Sequence, residues 1–60
     1  MKIEIYKDDA GEWRWRMVAR NGKIVADSGE GYRRRLGAVR AVLRLLEVVR
    51  AREVRIVEVG

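Results

Sequence analysis

Residues 13–27 read WRWRMVARNGKIVAD, and this stretch decides the fold. In its first half, Trp, Trp and Met alternate with arginines, which is the period of a β-strand that buries one face. Asn21-Gly22 separates this run from a second strand-like run at residues 23–27. Asn-Gly between two such runs is the strongest short-range hairpin signal, because both central residues of that turn need positive φ. The stretch therefore predicts two antiparallel strands joined at Asn21-Gly22.

The flanking segments extend this pattern into a complete domain. Residues 2–6 alternate polar and apolar side chains, and the Asp and Gly residues of positions 8–11 favour a turn. From Tyr32 to about Arg50 the apolar period becomes helical, and residues 54–59 are rich in β-branched side chains. The sequence predicts one α+β domain over residues 1–60, ordered β-β-β-α-β, in which an antiparallel meander carries one helix.

The helix and the sheet are expected to share one core. Apolar residues recur along the helix at steps of four and three, which places them on one side. The expected core residues are Ile3, Ile5, Trp13, Trp15, Ile24, Leu36, Val39, Leu43 and Leu46. Three charged residues of one narrow stripe are expected in solvent: Arg40, Arg44 and Glu47.

The helix and the last strand carry more apolar surface than one sheet requires. Apolar positions sweep over more than half of the helix circumference, whereas a helix lying on a sheet needs a stripe only a little wider than about 100°. In the last strand, Val54 and Ile56 point to one face and Val57 and Val59 to the other. A strand that is apolar on both faces expects cover on both. A second chain can supply that cover.

Chain length leads to the same expectation. A domain of 60 residues buries only about 60% of the surface that its unfolded chain exposes, so small domains usually add disulfides, a metal or a partner. The sequence contains no Cys and no His, which excludes disulfides and thiolate or imidazole metal ligands. A homodimer is therefore predicted, with these interface residues: Val42, Leu45, Val49, Val54, Ile56, Val57 and Val59.

The charge balance leaves two interpretations open. Lys and Arg number 14 against 9 acidic residues, giving a net charge of +5, and 11 of the 14 are Arg. Such an excess is compatible with a soluble surface laced with ion pairs, or with a polyanionic partner. Sequence-tolerant binding of nucleic acid is the alternative function, through a basic sheet face and the start of the helix. Its candidate residues are Arg14, Arg16, Arg20, Arg33 and Arg34.

No set of catalytic residues is visible. Ser28 is the only serine, and without a histidine its activating base would have to be a lysine or a carboxylate. The acidic residues at positions 8, 9 and 12 lack the spacing of a calcium loop. Gly29-Glu30-Gly31 precedes the helix and resembles a phosphate cradle, but Glu30 would repel an anion. The sequence predicts a protein that is not an enzyme and has no metal or cofactor.

Composition also bears on compartment and stability. No apolar run exceeds three residues, whereas a signal-peptide core needs about 7–15 and a spanning helix about 20. A cytoplasmic protein without membrane contact is predicted. One Asn, no Gln and abundant Arg, Glu and Val are typical of thermostable proteins, although a designed sequence or a GC-rich genome gives the same counts.

Four segments together resemble the YegP-like family of small uncharacterised proteins. They read IEIYKD at 3–8, GEWRWR at 11–16, NGKIVA at 21–26 and SGEGY at 28–32, and they cover about the first half of the chain. The resemblance implies a β3-α-β unit and no established activity. It also implies that two units share one continuous sheet, and hence a homodimer for a chain with one unit. The helix departs from the family pattern, because arginines and Ala-Val replace the usual Ser or Lys and the Asn-Gly-Ile segment.

The resemblance further implies that the C-terminal strand is exchanged between the two subunits. Two features of the sequence support exchange. Residues 51–53 contain neither Gly nor Pro, so no residue there favours a sharp reversal onto the chain's own sheet. Exchange also covers an apolar sheet edge that would otherwise promote aggregation.

Overall fold

A computed structural model describes residues 1–49 and 54–59. It contains four strands and one helix: β1 (Lys2–Lys7), β2 (Trp13–Val18), β3 (Ile24–Asp27), α1 (Arg35–Val49) and β4 (Arg55–Val59). The predicted α+β class and the order β-β-β-α-β are confirmed. The predicted helix end near Arg50 and the connection at 51–53 lie outside the described residues.

The strands form one mixed sheet in the order β3-β2-β1-β4. β1, β2 and β3 are antiparallel neighbours, which confirms the predicted meander. β4 pairs in parallel with β1 of the same chain, so that Ile56 lies beside Ile3 and Val59 beside Tyr6. A parallel neighbour requires a crossover connection, and α1 lies in that crossover between β3 and β4. β4 is consequently an edge strand of this sheet.

The two hairpins turn in the same way. In each, a glycine N–H donates to the carbonyl three residues earlier: Gly11 to Asp8 at 3.0 Å, and Gly22 to Ala19 at 2.9 Å. Both glycines have positive φ, 80° and 85°, which glycine adopts without steric cost. The predicted two-residue turn at Asn21-Gly22 is therefore wrong. The pairing of β2 with β3 shifts register between Met17 and Val18, just before the loop. The two strands are joined by a longer turn that ends in a glycine with left-handed backbone conformation.

After β3 the chain returns to β2 before the helix begins. Tyr32 and Trp13 exchange two backbone hydrogen bonds of 2.7 and 2.8 Å and form a single antiparallel bridge. The bridge keeps Tyr32 extended, so α1 begins at Arg35 rather than at Tyr32. Gly31 makes the bridge possible, because an added Cβ would lie only 2.8 Å from the Glu12 side chain.

The core lies between α1 and one face of the sheet, which is called the inner face below. Its buried residues are Ile3, Ile5, Trp15, Met17, Ala38 and Val42. Of the predicted core, three residues are confirmed as buried: Ile3, Ile5 and Trp15. Three others are partly buried against it: Trp13, Val39 and Leu46. The three residues predicted to face solvent do so: Arg40, Arg44 and Glu47.

The predicted burial of Ile24, Leu36 and Leu43 is wrong, since these side chains are 59%, 54% and 53% exposed. Leu36 and Leu43 belong to a stripe of apolar residues on α1, which we call the leucine-rich stripe: Leu36, Val39, Leu43 and Leu46. The helix turns a different side toward the sheet. Ile24 lies on β3, whereas α1 packs over β1 and β2 and does not reach it.

The side of α1 that faces the sheet is set by small residues. Ala38 and Val42 are fully buried, and they lie against a sheet surface that carries the bulky Trp15 and Met17. Small side chains allow the helix axis to approach such a surface, whereas leucines at the same positions would overpack it. Val42 was predicted as an interface residue. That assignment is corrected here, because Val42 has no exposed surface left for a partner.

Candidate interaction surfaces

The outer face of the sheet, opposite α1, holds two of the predicted nucleic-acid-binding arginines. Arg16 lies directly across from Glu4 in the β1–β2 pairing, and its Nε donates to Glu4 Oε1 at 2.5 Å. The Arg16 guanidinium also stacks over the ring of Tyr6, 4.5 Å from its centroid. Arg16 is therefore held by a carboxylate and an aromatic ring of the neighbouring strand.

Arg14 is held by the first hairpin loop. Its Nε donates to Asp8 Oδ2 at 2.6 Å, while Asp8 Oδ1 accepts the backbone N–H groups of Ala10 and Glu12, both at 2.9 Å. The same carboxylate thus closes the turn and binds the arginine. Such local side-chain bonds are the reason that Asp is favoured in turns.

The titration of these groups reflects the pairing. The hydrogen bond from Arg16 lowers the pKa of Glu4, and the hydrogen bond from Arg14 lowers the pKa of Asp8. Both pKa values fall because a charged donor stabilises the ionised carboxylate. The two arginines are accordingly neutralised within the chain, which weakens their attraction for a phosphate backbone.

The remaining predicted arginines lie at the two opposite ends of β2. Arg33 and Arg34 follow the Tyr32 bridge at the Trp13 end of β2 and lead into α1 on the inner side. Arg20 lies in the turn beyond the opposite end of β2. A six-residue strand spans about 17–20 Å, so the structure separates Arg20 from the helix start by at least that length.

The edge strand β4 carries apolar side chains on both faces, together with Arg55 and Glu58. Ile56 is the register partner of Ile3 and points to the inner face. Val57 and Val59 are the partners of Glu4 and Tyr6 and point to the outer face. No described strand pairs with the other side of β4, since the sheet order ends there. The outward-pointing backbone groups of β4 are therefore available to another strand.

One flank of α1 faces the β4 side. Arg35 forms an ion pair with Glu58 of β4, which orients that side of the helix. At 100° per residue, the positions that share a band of about 100° with Arg35 are the members of the leucine-rich stripe: Leu36, Val39, Leu43 and Leu46. On the opposite flank, Gly37 packs against the ring of Tyr32. The exposed leucines therefore lie toward β4.

We call these apolar residues the β4-side surface: the exposed Leu36, Leu43, Ile56 and Val59 and the half-buried Val57. Three of its members were predicted as interface residues, namely those on β4. Two other predicted interface residues, Leu45 and Val54, are partly buried against the chain's own core. The side chain of Val49 lies outside what the structure describes.

A groove at one end of the outer face was not foreseen. It has a volume of about 240 Å³ and is lined by Met1, Lys2, Val18, Ala19, Arg20 and Arg55. Lys2 and Arg55 are direct neighbours in the parallel β1–β4 pairing, and Lys2 lies across from Val18 on β2. Of the residues predicted to bind nucleic acid, only Arg20 lines this groove. The sequence alone does not predict this groove, because Lys2 and Arg55 lie far apart along the chain and become neighbours only through the pairing of β1 with β4.

The segment between β3 and α1 has a structural role. Ser28 donates its N–H to the Trp15 carbonyl at 2.9 Å, and its Oγ accepts the Trp15 N–H at 3.4 Å. Gly29 has positive φ, and burial beside Glu30 raises the pKa of Tyr32. These contacts tie the segment to β2. They explain the SGEGY sequence by folding requirements, without a phosphate cradle.

Together these features define a small α+β domain with a four-stranded mixed sheet, one covering helix and an open apolar edge. Residues 8–54 match the family model described as "Domain of unknown function (DUF1508)". The chain belongs to this family, and the resemblance to the YegP-like proteins is confirmed. In the part of the chain that the structure describes, no helix has the length and apolar character needed to cross a membrane.

Relatives share the family's uncharacterised status. The chain is 59% identical over 32 residues to a UPF0339 protein of Neisseria meningitidis serogroup B, covering 53% of the chain and 55% of that protein. It is 42% identical over 41 residues to a UPF0339 protein of Methanosarcina acetivorans, covering 68% and 69%. The chain thus spans about half the length of the first relative and about two thirds of the second.

A solved structure confirms the fold. The NMR solution structure of a protein from Haloferax volcanii matches 85% of this chain and 85% of that chain, with a TM-score of 0.73 and 35% identity. The names of these related proteins describe no enzymatic activity.

Proposed function

We propose that this protein is a non-enzymatic, homodimeric module whose subunits associate through the β4-side surface. The observation that carries the proposal is the coincidence of two features on one side of the molecule. β4 ends the sheet with apolar side chains on both faces, and the adjacent helix flank exposes Leu36 and Leu43. Natural proteins usually protect an edge of this kind by charge, by a bulge or by cover.

A two-fold axis beside β4 satisfies both features at once. Antiparallel pairing of β4 with its copy gives a continuous sheet of eight strands and brings the two leucine-bearing helix flanks together. The surface is self-complementary, because the same strand and the same helix flank lie on both sides of the axis. Stable interfaces bury about 800 Å² per partner, and an interface formed by both β4 and the helix flank buries more area than β4 alone.

Exchange of β4 between the subunits remains part of the proposal. In an exchanged dimer, β4 would contact β1 of the partner in the register that it has with its own β1 here. Both arrangements place β4 at the centre of the joint sheet, and they differ only in which chain supplies each copy.

Sequence-tolerant binding of nucleic acid has less support than dimerisation. Arg14 and Arg16 are each paired with a carboxylate at 2.6 and 2.5 Å. Arg33 and Arg34 lie in the segment that leads from the Tyr32 bridge into α1. A salt-dependent electrostatic contact needs several cations on one surface, and of the five predicted arginines only Arg20 lines the groove that also holds Lys2 and Arg55.

The test compares two glutamate substitutions on opposite flanks of α1. Leu43→Glu places a charge in the β4-side surface, whereas Val48→Glu places the same charge at an 81% exposed position on the other flank. Sedimentation equilibrium of the wild type should give twice the 7.0 kDa chain mass at micromolar concentration. Leu43→Glu should sediment as a folded monomer and Val48→Glu as a dimer. A monomeric wild type, or equal effects of the two variants, would overturn the proposal.

Exchange is tested separately by a cysteine pair, since the native chain contains no Cys. Glu4 and Val57 are register partners on the outer face, and neighbouring strands lie about 4.8 Å apart, within the range that a disulfide spans. After oxidation of Glu4→Cys/Val57→Cys, an exchanged dimer migrates as a covalent dimer on a denaturing gel. A chain that keeps its own β4 migrates as a monomer, which would contradict exchange and leave the dimer proposal standing.

A further inference from the structure

We propose that the groove formed by Lys2, Val18, Arg20 and Arg55 is a binding site for a phosphate group. The groove lies within one chain at one end of the outer face, and it is distinct from the β4-side surface. Its volume of about 240 Å³ is below the range of about 300–1,000 Å³ that encloses drug-sized ligands. The groove therefore suits a single anionic group with part of its carrier.

Like charges lie next to each other at this groove. Lys2 and Arg55 are direct register partners on neighbouring strands, and they point to the same face. Like charges directly opposite one another destabilise a sheet. Arg20 reaches the same groove from the turn that follows β2, which makes three cationic side chains around one depression. Violations of a local folding rule without structural benefit are typical of functional sites.

On the rest of the outer face, the arginines of β2 are neutralised by carboxylates. Arg14 faces Asp8 and Arg16 faces Glu4 at hydrogen-bond distance. Among residues 1–49 and 54–59, one ion pair involves a cation of the groove: Lys2 Nζ lies 3.3 Å from Glu4 Oε2. Glu4 is already bound by Arg16, so it neutralises Lys2 only in part. The groove thus keeps net positive charge, while the neighbouring surface is close to neutral.

The shape of the groove and the types of side chain around it also suit a phosphate group. Val18 is only 8% exposed although it lies among the polar residues of the outer face, and it forms an apolar floor between Lys2 and Arg20. Arginine presents its donors in a planar fork that matches two phosphate oxygens, and lysine adds a point charge. Two guanidinium groups and one ammonium group around a concave floor provide donors from several directions for one phosphate.

Titration of the ¹⁵N-labelled protein with pyrophosphate, at constant ionic strength, tests the site. We expect saturable NMR shift changes confined to the amides of Lys2, Val18 to Arg20 and Arg55. The Arg20→Gln and Arg55→Gln variants should each weaken the affinity about tenfold, the loss expected for one charge-assisted hydrogen bond. Arg40→Gln is the matched control, because it removes the same charge from the exposed side of α1 and should change the affinity less than about twofold.

Further arms of the titration distinguish the source of the phosphate group. Inorganic phosphate and a 5′-mononucleotide test for a free phosphate or a phosphomonoester. A single-stranded oligonucleotide without a terminal phosphate tests for phosphodiesters. Saturation by any of these probes at the groove amides supports the site and names its source. Shifts spread over all basic residues, equal losses in Arg20→Gln and Arg40→Gln, or no saturation with any probe would overturn it.

Discussion

The two sides of the molecule that flank α1 are built differently. On the β3 side, the helix presents Gly37, Ala41 and Arg44 together with an exposed large apolar side chain, Val48, and Tyr32 packs against Gly37. On the β4 side, the same helix presents the leucine-rich stripe, of which Leu36 and Leu43 are more than half exposed. The β4-side flank of the helix therefore exposes two leucines that lie two turns apart, whereas Val48 is the one large apolar side chain that the β3-side flank exposes among the described residues.

The two sheet edges differ in the same sense. β3 has four residues, its pairing with β2 is broken by a register shift, and the chain that follows returns to β2 at Tyr32. Short strands, bulges and covered ends are the usual protections of an edge. β4 has five residues in regular register with β1 and valines on its outer face. The regular register of β4 and its uncovered outer edge support the proposed association at this edge.

Removal of β4 should have the largest effect on this comparison. Deletion of residues 54–60 strips the cover from one side of β1 and removes the proposed interface, so we expect folding and dimerisation to be lost together. Circular dichroism and sedimentation measure both properties. The control is Ile24→Lys on the β3 edge, which is already 59% exposed and should leave both unchanged. A folded dimer without residues 54–60 would contradict the proposed association.

A buried residue of the core and an exposed residue of the helix flank should differ in how much their replacement by alanine destabilises the fold. Ile5 is fully buried, and Ile5→Ala should destabilise the fold by about 2–5 kcal/mol. Leu43→Ala should change the stability of the isolated subunit by only about 0.5 kcal/mol, since the side chain is exposed there. Denaturant unfolding over a range of protein concentrations separates the two, because dimerisation makes the apparent stability of Leu43→Ala depend on concentration. Equal losses at low concentration would mean that Leu43 belongs to the core.

Acid should produce the smallest effect, on the outer face. The pKa values of Glu4 and Asp8 are lowered by Arg16 and Arg14, so both carboxylates bind protons less readily in the folded state. Their contribution is present above the unfolded pKa and is lost as the pH falls through the lowered values, below about pH 4. In the Glu4→Gln/Asp8→Asn variant, the pH dependence of thermal stability in this range should become flatter. An unchanged slope would show that other groups control it.

The sequence predicts the fold well because its strongest signals are local. Period-two alternation and the turn residues of each hairpin depend on neighbours along the chain, and they predict the meander and the element order. The side of α1 that faces the sheet is not a local property. The leucine stripe is the strongest periodic signal in the helix, but the fit of Ala38 and Val42 against Trp15 and Met17 decides which side is buried.

The groove escapes sequence reasoning for a related reason. Lys2, Arg20 and Arg55 lie far apart along the chain, and they meet only because β4 is parallel to β1 and next to it. Conversely, the paired state of Arg14 and Arg16 requires the register that places Glu4 opposite Arg16. Composition left open a polyanion partner or a surface of ion pairs. The structure shows ion pairs at Arg14 and Arg16, and the phosphate site is proposed where Lys2, Arg20 and Arg55 meet.

Hydrogen exchange along β4 tests the proposed interface most directly. The Arg55 N–H donates to the carbonyl of Met1, the residue before β1, and amides alternate in direction along a strand, so the N–H groups of Ile56 and Glu58 point away from β1. With or without strand exchange, pairing of β4 with a second chain covers these two amides. We expect their exchange to slow as the protein concentration rises into the dimer range, and to become fast in Leu43→Glu. Fast exchange of both amides at every concentration would contradict association through β4.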